Sequence, residues 1–274
     1  MAYAYAGDGS LDYLPCHYGR SKLLFRGPRR DLELPYVAAL GGTETYGKFI
    51  PEPWPALVEG ATGLRMVNLG CVNAAADVYL CDPDVLDVAA GARLVVLQAM
   101  GAANLTNRFY AVHPRRNDRF LRASPQLNTL FPEVDFTNFH FTRHLLQTLQ
   151  QVSSRRFEEV ADELRATWVI RMRSLVERVR VPVVLLWMAD HAPARHSHAN
   201  LTTEPLLVDM AMLSVLREVC ASYVEVCLPA TARTGVAEGM VFAPLERPAI
   251  EGLPGPADHA RVAAALADTL DRFV

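Results

Sequence analysis

The stretch Tyr36-Val37-Ala38-Ala39-Leu40-Gly41-Gly42-Thr43-Glu44-Thr45-Tyr46-Gly47 decides the reading of this chain. Five apolar residues followed by Gly-Gly predict a buried strand that ends in a turn. A strand that stops there and turns into a helix exposes a hydroxyl at the top of a sheet, where nucleophiles are often placed. Thr43 carries that hydroxyl. A plainer role for it is to cap the following helix, with Glu44 as a first-turn carboxylate that suits the helix dipole, or as an acid/base in its own right.

Outward from this point the same pattern repeats. RMVNLG (65–70), ARLVVLQAMG (92–101), VPVVLLWMAD (181–190) and SYVEVCLPA (222–230) read as further strands, with Pro182 tolerated at a strand start. WPALVEGAT, the acidic segment from Asp82 to Ala90, Thr142–Gln151, Arg156–Arg178, Leu206–Cys220 and the closing PADHARVAAALADTLDRF read as helices. Strands that are apolar throughout and alternate with helices indicate parallel βαβ units covered on both faces. The fold class expected is α/β: a three-layer α/β/α sandwich around a central parallel sheet of about five strands. Residues 1–274 form one domain in this reading. It has an N-terminal arm over residues 1–30 and a helical insertion at about 105–180 that caps the sheet.

The 274 residues are 51% hydrophobic and 21% charged, with a net charge of -3. That balance argues against nucleic acid or a membrane as the main partner. No apolar run approaches the roughly 18 residues of a membrane span. MAYAYAGDGSLDY lacks the basic start and apolar core of a secretory signal, so a cytoplasmic protein is expected. Five cysteines without CxxC spacing read as free thiols in a reducing compartment. No GxxxxGK[ST] phosphate loop is present, and neither a cofactor nor a metal is expected.

Leu40-Gly41-Gly42-Thr43-Glu44-Thr45-Tyr46-Gly47 resembles the first sequence block of the SGNH (GDSL-type) hydrolases, typically LGDSLTYG. Leu40, Gly41, Thr45, Tyr46 and Gly47 match; Gly42 replaces Asp, Thr43 the nucleophilic Ser and Glu44 an apolar residue. The resemblance covers roughly residues 36–110 and 180–274. It implies Thr43 as nucleophile, Gly70 as the block-two oxyanion donor, Asn104 (in Gly101-Ala-Ala-Asn104) as the block-three donor, with Asn107 able to play the same part, and His259 as general base. The acid that the family carries three residues before its His falls on Pro256, with Asp258 adjacent to the base instead. The activity implied is ester hydrolysis or acyl transfer. The alternative is an inactive SGNH fold that binds a glycan or an anionic metabolite.

Two further strings bear on the ligand. Arg108, Arg115, Arg116, Arg119 and Arg122, with His113, concentrate positive charge just beyond the strand that ends at Gly101. Guanidinium forks match carboxylate, phosphate and sulfate, which predicts an anionic small-molecule or carbohydrate-linked substrate with Arg108 and one of Arg115, Arg116 and Arg119 in the Thr43 cleft. Structural ion pairing is the competing explanation. The loop holding Asp190, His191, His196 and His198 offers zinc-type donors at no recognised spacing, and His191 is taken as a substrate contact. A homo-oligomer is compatible with everything above.

Overall fold

The computed structural model describes residues 11–195, 200–228 and 238–273. Five parallel strands make the central sheet: β1 (Val37–Leu40), β2 (Met66–Asn68), β3 (Leu94–Gln98), β6 (Val183–Ala189) and β7 (Ser222–Cys227), in the order β2-β1-β3-β6-β7. That is the strand order of flavodoxin-like doubly wound sheets. Registers such as Ala39↔Val96 and Leu97↔Leu185 align the strand ends on one edge. All five expected strands are present, each slightly shorter than its apolar run.

Side-chain alternation explains the unbroken apolar strands. Ala38, Leu40, Val95, Leu97, Leu185 and Trp187 enter one core, while Val37, Ala39, Leu94, Val96, Val184 and Leu186 enter another. Each strand therefore buries both faces. The first face is covered by α3 (Ala76–Leu80), α4 (Pro83–Ala90), α7 (Ser154–Val179) and α8 (Met210–Arg217). The second is covered by α2 (Trp54–Thr62) and α9 (Pro256–Leu270), which pack on each other. No described helix is long and apolar enough to cross a membrane.

The segment expected as a helical insertion departs from that reading. It opens with an antiparallel hairpin, β4 (Tyr110–His113) and β5 (Arg116–Ala123), before α5 (Pro125–Leu130), α6 (Thr142–Val152) and α7. The buried Asn117 side chain docks this hairpin: its Oδ1 accepts the Ala75 and Val78 N–H groups at 3.1 and 3.2 Å. Both donors lie at the start of α3, where N–H groups have no carbonyl four residues earlier in the helix to bond.

The described part of the N-terminal arm, from residue 11, is packed on the domain. Buried Arg26 donates to the Gly47 and Pro51 carbonyls, each at 2.6 Å, and so binds the backbone just after α1 (Thr43–Tyr46). Arg30 pairs with Glu59 at 2.9 Å.

Candidate functional site

At the top of β1 the chain passes through Gly41-Gly42 into α1. The turn is held by Gln98, buried at the end of β3. Its Oε1 accepts from the Gly42 N–H at 3.0 Å and the Thr45 hydroxyl at 2.6 Å, and its Nε2 donates to Glu44 Oε2 at 2.8 Å. A Cβ on Gly41 would lie 2.2 Å from Thr45 Oγ1 and 2.5 Å from Gln98 Oε1, so only glycine admits this approach. The Tyr79 hydroxyl closes the other side, donating to the Gly41 carbonyl at 2.7 Å.

Thr43 opens α1 and faces a cavity of about 940 Å³ at the C-terminal edge of the sheet, where ligands bind in open α/β folds. Its hydroxyl is engaged by one residue. Oγ1 accepts the Asn73 N–H at 3.0 Å and donates to Asn73 Oδ1 at 3.3 Å. Asn73 holds a left-handed φ of 58°, a conformation asparagine tolerates well, and this presents its N–H to Thr43. Asn104 joins the group: Nδ2 donates to the Asn73 carbonyl at 3.2 Å, and Oδ1 accepts the buried Thr142 hydroxyl at 2.5 Å. Asn73 Nδ2 donates to Asp118 Oδ2 at 3.3 Å. Thr43, Asn73, Asn104, Asp118 and Thr142 thus form one polar network on the cavity floor.

Gly70 stands elsewhere. Its N–H donates to Asn68 Oδ1 at 2.9 Å, and a Cβ there would lie 2.4 Å from the Tyr46 nitrogen. Gly70 lets β2 approach α1 closely, and the N–H that reaches Thr43 is that of Asn73, three residues on.

His259 is not Thr43's base. It is 1% exposed, and its Nδ1 accepts the Trp54 N–H at 3.0 Å, so Nδ1 must be unprotonated. Burial, with the Arg26 charge as a smaller cause, pulls its pKa down to about 3. The Trp54 N–H is an unpaired donor in the first turn of α2, and Pro53 before it supplies no side-chain cap. His259 serves as that cap from a neighbouring helix. The C-terminal wall of the cavity is formed instead by Glu251 to Pro254 together with Asp258.

The arginine string lies outside the cavity. Arg108 pairs with Glu163 at 3.1 Å and Glu159 at 4.0 Å on α7, over the Phe109 ring. Arg115 and Arg116 are exposed at the hairpin turn, and Arg119 stacks on Phe141 at 4.1 Å. The expected convergence of these arginines on Thr43 is absent: the α7 carboxylates hold Arg108, the hairpin turn exposes Arg115 and Arg116, and Arg119 lies on the Phe141 ring. Asn107 also serves structure: Oδ1 accepts the Phe109 and Tyr110 N–H groups at 2.8 and 3.2 Å. His191 pairs through Nδ1 with Asp190 at 2.7 Å and packs edge-on against Trp187; Asp190 lines the cavity and His191 does not. His196 and His198 lie outside the described residues. Among the described residues no cluster of His, Cys, Asp or Glu is suited to a metal.

Glu44 lines the cavity. Several lining groups were not anticipated: Asn73, Gln98, Arg143, His144, Glu204 and Asp258. Arg143 Nη2 lies 2.5 Å from Glu204 Oε1. The Glu204 side chain is 53% exposed; the protein packed around it pushes its carboxyl up, Arg143 opposes this and the Glu44 carboxylate adds a smaller push upward.

The sequence matches, over residues 1–274, the model of a family described as "Domain of unknown function (DUF6473)". No curated protein matches it. Among solved structures it is similar to a protein of the G-D-S-L family, described as lipolytic, from Desulfitobacterium hafniense DCB-2. That pair shares 16% identity over 88% of this chain and 100% of the other, with a TM-score of 0.41. It is similar also to a carbohydrate esterase family 2 enzyme with a carbohydrate-binding domain from Corynascus thermopiles (Myceliophthora fergusii). There identity is 11% over 90% and 69% of the two chains, with a TM-score of 0.45. A catalytic mutant of an acetylxylan esterase from Geobacillus stearothermophilus is 13% identical over 85% and 93%, with a TM-score of 0.43.

Proposed function

For this chain, which belongs to the DUF6473 family, we propose binding of a hydroxyl-rich small molecule or short glycan in the Thr43 cavity, without ester hydrolysis. One observation carries this reading: both hydrogen bonds of the Thr43 hydroxyl go to Asn73, an amide that cannot serve as a base. Acyl transfer by a hydroxyl requires a neighbouring group to take its proton. The late histidine that could do so is committed to the Trp54 N–H. What remains at the floor is a set of hydroxyls and amides, with a carboxylate at Asp118, and these groups recognise sugar-like hydroxyls by donating and accepting at once.

The competing reading is slow acyl transfer through Thr43. The closeness of the Asn73 N–H and the Asn104 amide to Thr43 favours it, since donors grouped about a nucleophile suit a developing oxyanion. Titration with neutral xylo- and cello-oligosaccharides separates the two. The binding reading expects at least one probe to raise the melting temperature. It also expects Thr43→Val, which keeps the side chain's shape and removes its hydroxyl, to weaken that probe about tenfold. Absence of binding by every probe, with Thr43-dependent release of acetate from acetylated oligosaccharides, overturns it in favour of acyl transfer.

A further inference from the structure

Resting on the binding reading, we propose that the cavity's ligand carries positive charge: an amine-bearing, hydroxyl-rich compound of the amino-sugar class. Among the described residues, six carboxylates line the cavity, from Glu44, Asp118, Asp190, Glu204, Glu251 and Asp258, against two permanent cations, Lys48 and Arg143. Arg143 is already paired with Glu204, and Lys48 Nζ lies over the Phe49 ring at 4.6 Å. Negative charge on low-dielectric walls concentrates cations and repels anions. This reverses the sign of ligand that the arginine string suggests.

An acidic lining alone can be a solvated rim. Asp258 distinguishes this one. It is 8% exposed, and its Oδ2 accepts the Gly255 N–H at 3.0 Å, yet its Oδ1 is buried with no hydrogen-bond donor. A buried carboxylate oxygen without a donor is costly, and a ligand donor reaching this wall would offset that cost. Glu251 stands on the same wall, exposed, with no ion pair or side-chain hydrogen bond among the described residues. On the opposite side, Glu44 and Glu204 line the same cavity, and the Glu44 charge is a minor cause of the raised Glu204 pKa. An ammonium supplies three donors and no acceptor, so it relieves repulsion between carboxylates as well as satisfying their oxygens. A neutral hydroxyl does only the second.

Isothermal titration of the full chain at pH 7 tests the charge. The probes are glucosamine oligosaccharides, cello-oligosaccharides as the neutral counterpart, and oligogalacturonates as the anionic one. The expected result is glucosamine oligomers binding about tenfold tighter than the neutral ones, with an affinity that falls as salt is added. Asp258→Asn and Glu251→Gln should each weaken the amine-bearing probe severalfold more than they weaken the neutral one. Asp258→Asn retains an oxygen for the Gly255 N–H, and Glu251→Gln lies on the surface, so at least one folded variant is available. Equal affinity for the amine-bearing and neutral probes overturns the charge assignment while leaving the binding reading in place. Tighter binding of oligogalacturonates does the same. No binding by any of the three overturns both.

Discussion

A histidine whose Nδ1 accepts a buried N–H gives this protein a distinct acid response. His259 has an ordinary pKa of 6.5 and a folded-state value near 3. Between those values the unfolded chain takes up a proton that the folded chain refuses. Stability therefore rises with pH through this window. The contribution is fully present above pH 6.5 and is lost progressively as pH falls towards 3, with an upper size on the order of 5 kcal/mol. Urea unfolding should show a lower midpoint at pH 5 than at pH 7. His259→Gln keeps an acceptor for the Trp54 N–H and cannot titrate, so it should flatten that difference. An unchanged pH difference in the variant would show that His259 is not held neutral. Sequence could not separate this histidine from a catalytic base, because both roles favour the start of a helix. The position of Thr43, Glu44 and Asn104 at the sheet edge was legible because strand ends mark that edge in such sheets. Asn73 was not, since its backbone conformation leaves no mark in Cys-Val-Asn-Ala.

At the scale of elements, β2 and α1 meet through Gly70, and this contact explains a glycine that the family resemblance assigns to chemistry. Gly70→Ala forces a methyl group against the Tyr46 and Thr45 backbone. It should lower unfolding free energy by ~1–3 kcal/mol, read as a lower urea midpoint, with ligand affinity preserved in the folded fraction. An alanine variant as stable as the native chain would refute the close approach. The strands of the main sheet were readable because both faces are buried and the runs are apolar throughout. The β4–β5 hairpin was not. Arg116–Ala123 carries four charged residues in eight, so it reads as a solvated charge run. Only Asn117 and Phe120 turn fully inward, and their spacing of three across an irregular register gives no period-two signal.

For the whole molecule, the doubly wound sheet brings distant segments to one edge: the turn after β1, Asn73 after β2, Asn104 after β3, Asp190 after β6 and the wall before α9. In the proposed reading this edge keeps a binding cradle, and among the described residues no side chain relays a proton from Thr43. The most direct test is turnover of 4-nitrophenyl acetate by the native chain, Thr43→Ala and Thr43→Ser, under one condition and against a protein-free blank. The account predicts that the native chain and Thr43→Ala are indistinguishable, and that Thr43→Ser adds little, because restoring the serine hydroxyl supplies no base. Turnover by the native chain that Thr43→Ala abolishes and Thr43→Ser raises would contradict it.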